Sequence, residues 1–369
     1  MIDTVILSIP KHLVKNKLGE SMLGWEQQSS NLEGARKKWI RNPTKQELET
    51  GNSYPRLTGY KRFQDYFIRI EFSCPKLLYK NNLDELVDGD FKQMVITLQK
   101  RLQEMEAYID LEVLENAKVS AVHYSKNVLL QSGYTTRYVI SELSKANKRK
   151  SFDNTTFRFE NDGLSLQVYS KAHSFVIYDK IADINKTEKR AIDRDRTEYQ
   201  ATLFDELNQK QEIIRFEVRL SEYKKMVSVF KNYGIKKSFV FKDLFSSEIS
   251  QNIVFGYWQT LLKNSMSCYL PITTPKELLN LVILSYPKQK SLKQIQLVGL
   301  LLLASDGNGL PELRAILSKN QDKRSWYKLM ETVKDSSEKI QQIKPREWIY
   351  QIESDLKTYA PLLLKNINK

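Results

Sequence analysis

The sequence predicts an α+β fold: an antiparallel sheet with helices on one face, followed by a helical C-terminal part. Three observations predict it. Short runs with an apolar period of two recur up to residue 221, blocks with helical apolar spacing are interleaved with them, and beyond about residue 245 only the helical blocks continue.

Residues 2–9, IDTVILSI, read as the opening strand, and the polar stretch that follows to about residue 60, punctuated by Gly and Pro, resists organisation by pattern. DYFIRIEFS (65–73) is a strand broken by Pro75 and Asn81-Asn82, and DFKQMVITLQKRLQEMEAYI (90–109) has helical apolar spacing. AKVSAVHYSKNVLL (117–130) is a second strand, and 135–147 a second helix that runs into KANKRK. LSLQVYSK (164–171) and HSFVIYDK (173–180) are spaced closely enough for a hairpin. Residues 181–212, dominated by KTEKRAIDRDRTEYQ, read as an exposed helical insertion, and IIRFEVRLS (213–221) returns as a strand with strict alternation. Helical blocks follow at 276–286, 291–305, 310–317, 322–334 and 345–366. The expected division is an α+β domain over 1–245 and a helical domain over 246–369, since 369 residues exceed one typical core.

The 58 Lys and Arg against 44 Asp and Glu give a formal charge of +14, which points to a polyanionic partner, nucleic acid first. Compositional drift toward lysine gives the same imbalance with no partner. No membrane is indicated: the longest apolar run, Leu297 to Ala304, is far below the ~18 residues of a spanning helix, and no signal-peptide pattern opens the chain. Cys74 and Cys268 are far apart with no CxxC, which argues against a disulfide framework or a cysteine zinc site and fits a reducing cytoplasm. His12, His123 and His173 stand alone, and neither GxxxxGK[ST] nor GxGxxG occurs, so ATP hydrolysis and dinucleotide chemistry are not expected.

Alternation places Phe67, Arg69, Glu71 and Ser73 on one face of their strand, Arg215, Glu217 and Arg219 on one face of theirs, and His123, Ser125 and Asn127 together. If the opposite, apolar faces pack on helices, the polar face collects Glu71, Glu217 and His123, a donor set suited to Mg²⁺ or Mn²⁺. Tyr178 and Lys180, two apart at the end of HSFVIYDK, add a phenol beside an ammonium. With a cation to polarise a phosphate and Lys180 to clamp it, Tyr178 becomes a nucleophile toward a phosphodiester. Taken singly, each residue has a plainer reading: R-x-E as a cross-strand ion-pair ladder, the tyrosine as packing, His123 as a hydrogen-bonded structural histidine. Tyr-x-Lys also recurs at Tyr124-Lys126 and Tyr169-Lys171, so Tyr169 is an alternative nucleophile.

The opening MIDTVILSIP, the block IEFSCPKLLYKNNLDEL (70–86), KVSAVHYSKN (118–127), IYDK (177–180) and IIRFEVRL (213–220) occur in that order. With these pieces the chain resembles, over roughly residues 1–245, the gene II family of phage and plasmid replication initiators, the filamentous-phage nicking proteins. The resemblance implies a rolling-circle initiator of the bacterial cytoplasm that nicks one strand of a double-stranded origin and later rejoins the displaced single strand. It places the nucleophile at Tyr178, its lysine at Lys180 and the acidic strand residues at Glu71 and Glu217; where His123 stands, the family commonly has an acidic residue. A 5′-phosphotyrosyl intermediate would leave a 3′-OH for a host polymerase, with a host helicase and single-strand-binding protein assisting.

DNA contacts are expected from Arg69, Arg215 and Arg219, from the basic cluster Lys145, Lys148, Arg149 and Lys150, and from Lys323, Arg324 and Lys328 in a helix-turn-helix-like cadence around DGNG (306–309). Solvated helix ends and helical bundles produce the same patterns. Two rivals remain: a non-catalytic DNA-binding replication regulator with the same fold, and a single-stranded RNA binder, which the carboxylates disfavour.

Overall fold

The computed structural model describes residues 1–16, 18, 27–28, 38–62, 64–144, 156–160, 164–169, 172–185, 211–263, 274–306, 309–317, 323–343 and 346–364. Among them a single antiparallel sheet is built from β1 (Ile2–Pro10), β2 (Gln27–Gln28), β3 (Lys38–Arg41), β4 (Arg56–Arg62), β5 (Asp65–Ser73), β6 (Lys118–Leu129), β7 (Thr156–Glu160), β8 (Ser165–Tyr169), β9 (His173–Asp179) and β10 (Ile213–Leu220). The strand order is β2-β3-β4-β5-β1-β6-β10-β9-β8-β7, which puts β1, β6 and β10 at the centre.

The alternation that predicts these strands also decides which side is covered. Val5, Leu7 and Ile9, then Ile68, Ile70 and Phe72, then Ile214, Phe216, Val218 and Leu220 are all buried in one apolar core. Several helices contribute to that core, Thr136–Ser144 among them through Val139, Ile140 and Leu143. Phe91–Glu104 contributes Met94, Val95, Leu98 and Leu102, at the spacing that lines one helix face. Tyr223–Asn232 contributes Met226, Val229 and Phe230. Ser247–Lys263 and Glu347–Thr358 add Trp258 and Trp348, both fully buried, with Trp258 edge-on to Phe216 at 5.4 Å. The helix expected over 90–109 stops at Glu104, because Glu106 adopts φ 63° and turns the chain.

Two expectations need correction. Ser247–Lys263 and Glu347–Thr358, placed by the sequence in a separate helical domain, belong to the core of the sheet. A second apolar cluster, from Leu278 to Ile340, is confined to the helices between Pro275 and Ile343, so the self-packed helical unit is an excursion between two helices of the first core. The other face of the sheet is also partly covered. The helix Lys180–Asn185 and the segments around Leu83 and Leu364 form a small apolar cluster there with Ile213, at the residue-213 end of β10. Strands β2, β3, β4 and β7 escaped the pattern reading, and of the insertion expected over 181–212 only 181–185 and 211–212 lie within the described residues. Among the described residues no helix is long and apolar enough to cross a membrane.

Candidate functional site

Strand registry assembles the polar face. His123 of β6 pairs with Thr4 of β1 and Arg219 of β10, Ser125 with Glu217, and Asn127 with Arg215; Arg215 pairs in turn with Tyr178 of β9. At the start of β1, Ile2 pairs with Tyr124 while Thr4 pairs with His123, so one extra residue, Asp3, is held in a bulge. The bulge carries the chain from the core face at Ile2 to the polar face at Thr4, and Asp3, His123 and Glu217 come together with one potential ligand atom each, all within 4.8 Å of one another.

Glu217 is the hub. Its carboxylate accepts the Tyr178 hydroxyl at 3.0 Å, Arg219 Nε at 2.7 Å and Arg219 Nη2 at 3.2 Å, and lies 3.4 Å from His123 Nδ1. Burial alone would raise this carboxyl, but Arg219 and His123 outweigh it and hold it well below the usual carboxylate range. Tyr178 is shifted the opposite way: burial, then the Glu217 charge, push its phenol well above the ordinary value. The hydroxyl therefore stays protonated and donates to Glu217.

Arg215, only 1% exposed, donates Nε to Asn127 Oδ1 at 2.7 Å, Nη1 to Asp3 Oδ1 at 2.9 Å and Nη2 to the Asn82 carbonyl. It was expected at DNA; its guanidinium instead ties β10 to β1 and to the 80s loop, and aims Asp3. Lys180 is likewise displaced from its expected role. It opens a helix instead of ending a strand, and its Nζ lies 5.8 Å from the Tyr178 ring centroid and 3.8 Å from Asp183, with 1% exposure. Burial first, and then the Arg215 charge, lower its pKa from 10.5 to about 7. A group so enclosed does not clamp an incoming phosphate. Among the described arginines and lysines of this cluster, Arg219, whose side chain is 32% exposed, is the one that solvent reaches.

Glu71 lies on the polar face but pairs with Ile6 and Arg56, and β1 and β6 separate its strand from β10, a gap of about 14 Å at the usual strand spacing. It is not in the cluster; Asp3 takes the place it was expected to fill. Tyr169 faces the same side from β8, across from Ser174, one strand further from Glu217 than Tyr178. Arg69 is exposed, with its guanidinium 4.5 Å over the Tyr60 ring. Arg324 and Lys328 are exposed on the helix Lys323–Ile343; Lys145, Lys148, Arg149 and Lys150 and the side chain of Lys323 lie outside the described residues.

The donor set fits a hard divalent cation. Mg²⁺ held octahedrally at about 2.1 Å spaces its ligand atoms roughly 3–4 Å apart, so Asp3, His123 and Glu217 would have to draw inward to reach one ion and would fill part of its coordination, with two carboxylates and one imidazole as appropriate donors. Arg219 occupies lone pairs such a cation needs, so binding it would require Arg219 to leave Glu217. No family model, curated protein or solved structure matches this chain.

Proposed function

We propose that the chain is a metal-dependent DNA strand transferase, a rolling-circle initiator that nicks one strand at an origin and rejoins it through Tyr178. The observation that carries this reading is the Tyr178 hydroxyl 3.0 Å from a buried carboxylate that shares the polar face with Asp3 and His123. The phenolic oxygen loses its proton and forms a bond to phosphorus, the bond from phosphorus to the 3′ oxygen breaks, and that oxygen takes up a proton, giving a 5′-phosphotyrosyl enzyme and a 3′-OH. Rejoining reverses these bonds without ATP. Asp3, His123 and Glu217 would hold Mg²⁺ or Mn²⁺, which when bound would polarise the scissile phosphate toward attack by Tyr178. Glu217 orients the phenol and accepts its hydrogen bond. Arg219, released from Glu217, contacts the phosphate. The partners on this reading are double- and single-stranded origin DNA, with host helicase, polymerase and single-strand-binding protein in a bacterial cytoplasm.

The non-catalytic regulator draws on two observations, the 9% exposure of Tyr178 and a Glu217 already paired to Arg219. Incubation with supercoiled origin DNA separates the two. The enzyme reading expects Mg²⁺- or Mn²⁺-dependent open circles from the wild type and none from Tyr178→Phe, with DNA binding retained. Absence of nicking by the wild type with every divalent cation refutes it.

A further inference from the structure

Along β1, Ser8 lies four residues beyond Thr4, the partner of His123, or about 13 Å at the usual strand rise. There the polar face meets a groove of about 1180 Å³ at the end of the sheet, lined from that face by Ser8, Tyr60, Phe67 and Arg69 and from the helix side by Val113, Tyr223 and Phe239. Registry builds its floor: Ser8 pairs with Arg69 and Tyr60 with Phe67. The Tyr60 and Phe67 rings are stacked at 5.8 Å and 26°, the Arg69 guanidinium lies 4.5 Å over the Tyr60 ring, and the Tyr60 hydroxyl is fixed by a 2.9 Å hydrogen bond with Ser8 Oγ. Among the charged residues lining the groove, Arg62, Arg69, Lys118 and Lys224 outnumber Glu112 and Glu222.

A half-exposed aromatic pair flanked by cations is chemistry that binds unpaired nucleic acid, because each base offers a π-face only once it leaves the duplex stack, while lysine and arginine follow the phosphates. A duplex presents phosphates and base edges and gains nothing from the ring faces. The part of the groove built by Ser8, Tyr60, Phe67 and Arg69 shares one face of the sheet with the Tyr178 cluster, so a single strand can reach both.

We propose that the groove of Tyr60, Phe67 and Arg69 stacks the unpaired bases of the strand whose phosphate lies at Tyr178; that this strand is DNA rests on the nicking reading above. The full-length chain in EDTA is titrated with a fluorescein-labelled 20-mer of oligothymidylate and with a blunt 20-base-pair duplex. Tyr60→Ala is expected to weaken single-strand binding about tenfold or more, with Tyr60→Phe at wild-type affinity and duplex binding unchanged. Phe67→Leu is expected to weaken the same arm, and thermal unfolding verifies that each variant is folded. Folded Tyr60→Ala and Phe67→Leu proteins that bind the 20-mer as tightly as wild type overturn the proposal, as does an equal loss in both arms. Covalent adduct formation at Tyr178 is scored separately. No adduct with Tyr60-dependent single-strand affinity removes the nicking reading and keeps the groove; an adduct with Tyr60-independent affinity does the reverse.

Discussion

Glu217→Gln probes the hub of the polar face. The substitution keeps shape but removes the charge that accepts from Tyr178 at 3.0 Å and from two nitrogens of Arg219. Breaking a fully buried ion pair costs roughly 3–5 kcal/mol. Here Glu217 is 2% exposed but the Arg219 side chain is 32% exposed, so the guanidinium recovers water and the expected loss is about 2–3 kcal/mol. The pH dependence follows from the depressed carboxyl: its stabilisation is present above the unfolded value near 4.5 and is lost as pH falls through the lower folded value. Urea unfolding in EDTA, from pH 7 down to pH 3, reads both effects with no metal contribution. The wild type should be more stable than Glu217→Gln at pH 7, and the gap should narrow on acidification. Equal stabilities at pH 7, or a gap that widens toward pH 3, refute the assignment of Glu217 as a buried, ionised partner of Arg219.

Lys180 carries the opposite sign. Its folded pKa of about 7 lies below the unfolded 10.5, so the unfolded chain binds more protons between those values and wild-type stability rises with pH across that window. Lys180→Met should stabilise the fold at pH 6, by up to roughly 4–5 kcal/mol from the size of the shift, and lose the advantage by pH 10.5; equal unfolding midpoints at pH 6 count against it. Asp3→Asn should weaken Mn²⁺ binding measured by calorimetry while Glu71→Gln leaves it unchanged, and the reverse order would restore Glu71 to the site. A Cβ at Gly256 would stand 2.2 Å from the Tyr233 ring, so Gly256→Ala should cost roughly 1–3 kcal/mol in urea unfolding; no change would mean that Tyr233 moves freely aside.

Much of the face that carries the site was legible in the sequence, because β5 and β10 keep strict alternation: Arg215, Glu217 and Arg219 share one side, and Ile214, Phe216 and Val218 the other. Asp3 was hidden by that same rule. Period-two counting back from Val5, Leu7 and Ile9 assigns Asp3 to the core, and only the bulge between Ile2 and Thr4 turns it outward. Glu71 was misplaced for a different reason, since alternation fixes a face but not which strands are neighbours, and β1 and β6 intervene. Lys180 reads as a strand residue in isolation; the following helix and the apolar cluster of Leu83, Ile184, Ile213 and Leu364 enclose that end of the polar face through distant segments that local pattern does not link. The same applies to Ser247–Lys263 and Glu347–Thr358, whose helical periodicity is clear but whose partner, the core face of β6 and β10, is not local.

The most direct measurement is to trap the protein on a short single-stranded DNA carrying the nicking sequence, with Mn²⁺, digest it with trypsin and identify by mass spectrometry the residue bonded to nucleotide. The account predicts a 5′-phosphoryl adduct on Tyr178. An adduct on Tyr169 or elsewhere, or none while nicking proceeds, contradicts it.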